Sequence, residues 1–258
     1  MSEPTNPTTV PSSAPAPIAH PAGADDLILK ISYEGGLVPP DYQVTNVPDL
    51  VVSGDGRIFT PAPASTPYPG ELMENIQVRQ TNEEGLQALL RFVADAGLLA
   101  PPPEYPDRHN VADAPDTVLT IAAAGGTFVH SAYGLGIGDP ETGARKTLLD
   151  AVNMLSDMAT VVGPANIDQG TSFVATSYRL QARPVDPAQL TDQPLPPTIV
   201  DWPADAGVAL AAASECARVD AAAIGRLFLE ASQSTYFKDG DVVYRVTVRG
   251  VLPGDPAC

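Results

Sequence analysis

The amino-acid sequence predicts an α+β fold: a mainly antiparallel sheet built from hairpins, with about three helices packed on it and a single disulfide. Three observations carry this expectation. β-rich runs recur in pairs around short glycine-containing turns, apolar helical stripes follow some of those pairs, and the chain holds only two cysteines, Cys216 and Cys258.

The hairpins are the clearest elements. Leu50–Ser53 and Arg57–Thr60 flank Gly54-Asp55-Gly56, whose Asp-Gly step suits the positive φ of a tight turn. Thr117–Ala123 and Thr127–Tyr133 flank Gly125-Gly126 in the same way. Thr235–Phe237 and Val242–Val248 flank Lys238-Asp239-Gly240, and Val242, Tyr244, Val246 and Val248 share one face of a β-branched run. Leu27–Tyr33 and Phe173–Arg183 read as two further strands.

The helices follow from caps and 3.6-residue periodicity. Thr81-Asn82-Glu83-Glu84 has the pattern of a capping box with Thr81 as N-cap. Leu86, Leu89, Leu90 and Val93 then mark one face, and Gly97 suits the stop. A second helix is predicted from Asp139-Pro140-Glu141, burying Leu148, Val152, Leu155, Ala159 and Val162 and ending at Gly163-Pro164. A third begins near Asp220 and buries Ile224, Leu227, Phe228 and Ala231. Helices that fall after hairpins, rather than between every strand, favour an antiparallel sheet covered on one side.

Composition sets the organisation. Residues 1–24 are rich in Pro, Thr, Ser and Ala, with six prolines by residue 21, and are expected to form a disordered tail or spacer. Residues 25–258 are expected to form one globular domain, with the proline-rich 184–203 stretch as the alternative boundary between two subdomains. Met1-Ser2-Glu3 runs straight into this tail, which reads as a mature chain whose signal segment has been removed. An even cysteine count in an exported chain favours pairing, here across 216–258; two cysteines alone are a poor zinc site, which needs four ligands.

Charge narrows the partners. The formal net charge is −17, from 14 basic against 31 acidic side chains, and the densest basic spot is Arg145-Lys146. Phosphate backbones and anionic lipid headgroups both select clustered Lys and Arg, so nucleic acid and electrostatic membrane adhesion are not expected.

Several motifs invite a chemical assignment, and most fail on their spacing. Gly134-Leu135-Gly136-Ile137-Gly138 sits between a strand and a helix, but Asp139 stands where a dinucleotide loop needs glycine. Gly138 and Gly143 have P-loop spacing, yet Ala144 and Arg145 occupy the Lys and Ser/Thr positions, and Asp139 and Glu141 would repel a phosphate. His20 lies in the tail, and no Gly-x-Ser-x-Gly elbow is present. His130 and Ser131, adjacent on a strand, point to opposite faces, so His130 is expected to be a hydrogen-bonded or surface strand residue. The acidic stretch Asp107–Asp116 is the one candidate hard-cation loop, with His109, Asp113 and Asp116 as ligands and Ca²⁺ as the ion; turn formation and strand capping are the competing roles for both aspartates. Tyr33, Tyr42, Tyr68, Tyr105 and Trp202 lie among prolines and are expected to pack on them, with an aromatic-lined groove as the alternative.

Four segments carry a resemblance. Glu34–Tyr42 (EGGLVPPDY), Gly54–Pro61 (GDGRIFTP), Val111–Thr120 (VADAPDTVLT) and Val251–Cys258 (VLPGDPAC) resemble secreted or lipid-anchored actinobacterial envelope proteins of unassigned function. The resemblance implies an extracytoplasmic location, a C-terminal disulfide, and membrane attachment only through a removed lipid anchor. The leading expectation is therefore a non-enzymatic exported cell-envelope protein, an interaction or assembly module for a protein or cell-wall partner. A cation- or small-ligand-binding exported protein is the alternative, and an extracellular hydrolase with a scattered site the second.

Overall fold

The computed structural model describes residues 16–39, 42–63, 68–107, 111–191 and 196–258. Among the described residues the architecture is α+β, with two mostly antiparallel sheets, three helices of seven residues or more, and one disulfide between Cys216 and Cys258. Among the described residues no helix is long and apolar enough to cross a membrane.

The first sheet is fully antiparallel. It contains β1 (Leu27–Glu34), β2 (Leu50–Ser53), β3 (Arg57–Pro61), β4 (Ile76–Gln80), β5 (Asp116–Ala123), β6 (Gly126–Tyr133) and β7 (Thr171–Ser172), in the order β6-β5-β1-β2-β3-β4-β7. A short helix α1 (Tyr42–Thr45) links β1 to β2. Helices α2 (Glu83–Asp95), α3 (Gly143–Leu155) and α4 (Met158–Val162) supply Leu89, Leu90, Leu148, Leu155 and Val162 to a core shared with Ile31, Leu50, Ile58 and Leu119 of the sheet. β2 is buried along its whole length because both its faces are covered. Leu50 and Val52 face this helical core, while Val51 joins Phe59, Ile76 and Leu252 in a separate cluster.

The second sheet contains β8 (Ser177–Pro184), β9 (Thr198–Asp201), β10 (Ala217–Asp220), β11 (Thr235–Asp239) and β12 (Val242–Gly250), in the order β10-β8-β12-β11-β9. The β9–β11 pair is parallel; the others are antiparallel. Helix α5 (Pro187–Leu190) follows β8, and α6 (Ala221–Glu230), capped by Asp220, packs on the sheet through Ile224 and Phe228. Phe228, Phe237 and Trp202 meet edge-on or tilted at centroid distances of 5.8–6.0 Å. Trp202, expected among proline rings, is instead a core residue whose Nε1 donates to the Val208 carbonyl at 2.7 Å.

The hairpins thus divide between two sheets rather than joining one. The change of sheet falls between Ser172 and Ser177, upstream of the 184–203 stretch, and breaks the single strand expected over Phe173–Arg183. Phe173 stays with the first sheet: its N–H donates to Ile76 O at 2.8 Å and its ring meets Phe59 edge-on at 5.1 Å.

Two helix starts also differ from expectation. The N-cap of α2 is Asn82, whose side chain accepts from Gly85 N at 2.9 Å, because Thr81 Oγ1 is already committed to Asn166 O. The second helix starts later, after Thr142, since Glu141 is drawn inward to Arg145; it then breaks at Asp157, which caps α4 through Thr160. Residues 16–24 of the expected tail lie on the body. Gln87 clamps Ile18 from both sides (Ile18 N to Oε1 2.8 Å, Nε2 to Ile18 O 3.0 Å), and Ala124 N donates to Ala19 O. Residues 1–15 lie outside the described residues.

Candidate functional site

Of the residues singled out in the sequence, Asp113, Asp116, His130 and His20 fall among the described residues. His109 lies outside the described residues. Asp113 sits exposed on a turn with φ 62°, and Asp116 opens β5 and accepts from Ser131 Oγ at 3.3 Å. Among the described residues no group of three His, Cys, Asp or Glu side chains is placed to hold a metal ion. His130 is fully buried: Nε2 faces the Leu98 carbonyl at 3.0 Å and Nδ1 faces the Tyr105 hydroxyl at 2.7 Å. A carbonyl only accepts, so the Nε2 that faces Leu98 carries a proton. His20 bonds the Pro21 carbonyl and the Glu83 carboxylate.

The glycine loop after β6 holds an anion of the protein's own. Gly136 N donates to Glu141 Oε1 at 3.1 Å, and the same carboxylate receives Arg145 Nε and Nη2, each at 2.7 Å. Both side chains are 2% exposed. An internal carboxylate thus occupies this glycine loop, and Arg145 is consumed in neutralising it.

A concavity of mixed polar and apolar lining lies where the two sheets meet. Its first wall is the 71–76 segment, which bridges the sheets: Leu72 N donates to Ala231 O at 3.2 Å, and Glu71 pairs with Ser232. Its second wall is the crossover, Phe173, Val174 and Ala175, and its third is the end of α6 with Phe228 and Leu229; Tyr178 and Gly250 also line it. The cavity has a volume of about 170 Å³. Its rim carries two large apolar side chains in water, Val174 (79% exposed) and Leu229 (72%). Beside them stand Glu71 and Glu74. Glu71 accepts from Asn75 Nδ2 at 2.5 Å. Glu74 is an accessible side chain, yet the protein mass around the groove withholds water and pushes its carboxyl above the ordinary value. Apolar floor plus acidic rim is chemically suited to a ligand that combines an apolar group with a cation.

No family model matches the chain, and no curated protein or solved structure matches it. The assignment therefore rests on the geometry.

A second cleft, of about 550 Å³, opens between the first sheet and the α3–α4 break. Burial pushes the Tyr33 hydroxyl up, as does the neighbouring Asp49 carboxylate that accepts its hydrogen bond. Burial also raises Asp49, with the Tyr33 hydrogen bond opposing. Three other polar groups along this cleft are already engaged: Arg79 Nε on Asp168 O, Ser156 Oγ on Asn153 O, and Asp157 on Thr160.

None of Glu71, Glu74, Val174 and Leu229 stands out in the sequence. The one signal is that Leu229 falls off the Ile224–Phe228 stripe of α6, leaving an apolar residue on the solvent side of an amphipathic helix.

Proposed function

We propose that the protein is a non-enzymatic, extracytoplasmic interaction module of the cell envelope, and that its contact surface is the groove between the two sheets. The observation that carries this is the coincidence at one rim of solvent-exposed Val174 and Leu229 with the carboxylates of Glu71 and Glu74. Isolated exposed apolar residues are ordinary, but two beside a cavity at the junction of the two sheets support a contact surface there. The disulfide, which is sustained in oxidising compartments, supports export. The fitting partner is a peptide segment with Lys or Arg next to an apolar side chain.

The test is binding of fluorescent short peptides that combine Leu or Phe with Lys, against the same peptides with Glu in place of Lys. The Lys series should bind about tenfold tighter, equivalent to about 1.4 kcal/mol. Leu229→Lys and Glu74→Lys, both on exposed side chains, should abolish that preference while leaving the melting temperature unchanged. Equal binding of both peptide series, or none at all, would rule out the groove as the contact surface.

A further inference from the structure

We propose that β6 is a self-association edge, on which a second copy of the chain pairs antiparallel about Val129. This surface is separate from the groove and does not depend on its assignment.

The four strands that end the sheets are unequal. β7 has two residues, β10 has four and includes Arg218 and Asp220, and β9 has four and ends in Asp201. β6 has eight residues, GTFVHSAY, with no charged side chain and no proline. Its ladder to β5 runs without a bulge from Ala123↔Gly126 to Asp116↔Tyr133. Charge, proline, bulges and shortness are four of the devices by which edge strands avoid one another, and β6 has none of these four.

The hairpin register tells which backbone groups face away from β5. The two-residue turn Ala124-Gly125 has φ of 53° and 77°, the conformation of a tight hairpin turn, so Ala123 and Gly126 form a hydrogen-bonded pair. Alternation then makes Ile121↔Phe128, Leu119↔His130 and Thr117↔Ala132 the bonded pairs. The N–H and C=O groups of Thr127, Val129 and Ser131 consequently point away from β5. Beyond them the edge is closed, because Arg145 Nη2 donates to Tyr133 O at 3.1 Å. Thr127, Val129 and Ser131 are themselves exposed, whereas His130 and Ala132 are buried on the opposite face.

This run is self-complementary. A two-fold axis at Val129 sets Val129 against Val129 and Thr127 against Ser131, all in the bonded register, with the hydroxyls and the valines facing each other on one face. The charge on the rest of the molecule opposes this contact and sets its salt dependence. Two copies of charge −17 repel wherever acidic surfaces meet, and an uncharged strand is where they can approach. The contact is narrow, below the area of a standard interface, so the dimer is weak and strengthens as salt screens the repulsion.

Sedimentation velocity of the full chain, over a concentration series at low and high salt, tests this. The wild type should dimerise, with tighter association at high salt. Val129→Pro removes an outward N–H that has no hydrogen bond among the described residues, and Val129→Lys sets like charges across the axis; each should weaken association at least about tenfold. Circular dichroism melts checked against the wild type exclude unfolding of either variant, and one folded variant suffices for the comparison. A wild type that stays monomeric throughout overturns the proposal, including where a strand peptide of another sequence binds β6. So does a dimer unaffected by both substitutions.

Discussion

Arg145 and Glu141 show how the acidic chain disposes of buried charge. Their bidentate pair is 2% exposed on each side, and Glu141 holds the guanidinium proton more firmly, against a smaller opposing effect of burial. Removing one partner of such a pair leaves an uncompensated buried charge. Arg145→Ala should therefore lower stability by about 3–5 kcal/mol in urea unfolding. Neighbouring Lys146 makes a 2.6 Å pair with Asp150, but both side chains are more than half exposed. Lys146→Ala should shift the same midpoint by less than about 1 kcal/mol. The contrast was not legible in the sequence, where Arg145-Lys146 is simply the densest basic spot. Burial of one and exposure of the other depend on where α3 lands on the sheet.

At the scale of elements, the β2–β3 hairpin has a pH signature. Burial pushes the Asp55 carboxyl up, but the Ser53 hydroxyl and Arg57 guanidinium outweigh that and hold it below the ordinary value. A carboxylate depressed in the folded state contributes stability above its unfolded pKa, and this is lost as pH falls through the folded pKa. Asp55→Asn should thus lower the urea midpoint at neutral pH, with the difference from wild type shrinking as the medium turns acid. Gly56 is required at the same turn: φ is +85°, and an added Cβ would come within 2.4 Å of the Thr81 carbonyl. At the start of α2, Asn82→Ala should cost about 1 kcal/mol, whereas Glu84→Ala should leave stability nearly unchanged, since Asn82 holds the cap. The capping-box pattern located this helix correctly to within two residues. It misassigned the cap because Thr81 is recruited by Asn166, a partner 85 positions away.

At the scale of the whole molecule, the C-terminus is tied twice. Arg249 Nη1 and Nη2 grip Asp255 at 2.6 and 2.8 Å, and Cys258 is bonded to Cys216 immediately before β10. Closing the 42-residue separation stabilises the fold by about 4 kcal/mol on the loop-entropy estimate. Cys216→Ser should lower the unfolding free energy by about that amount, less whatever Arg249–Asp255 retains, as read from matched urea curves. The amino-acid sequence by itself determined the three hairpins, the three longer helices and the two cysteines available to pair, because turn chemistry, caps and periodicity act over a few residues. Only the tertiary structure decided that the hairpins fall into two sheets, that β9 joins in parallel, that residues 16–24 are clamped by Gln87, and that Val174, Leu229, Glu71 and Glu74 share one rim. Those outcomes depend on which distant surfaces bury each other, and neither periodicity nor turn chemistry encodes that choice.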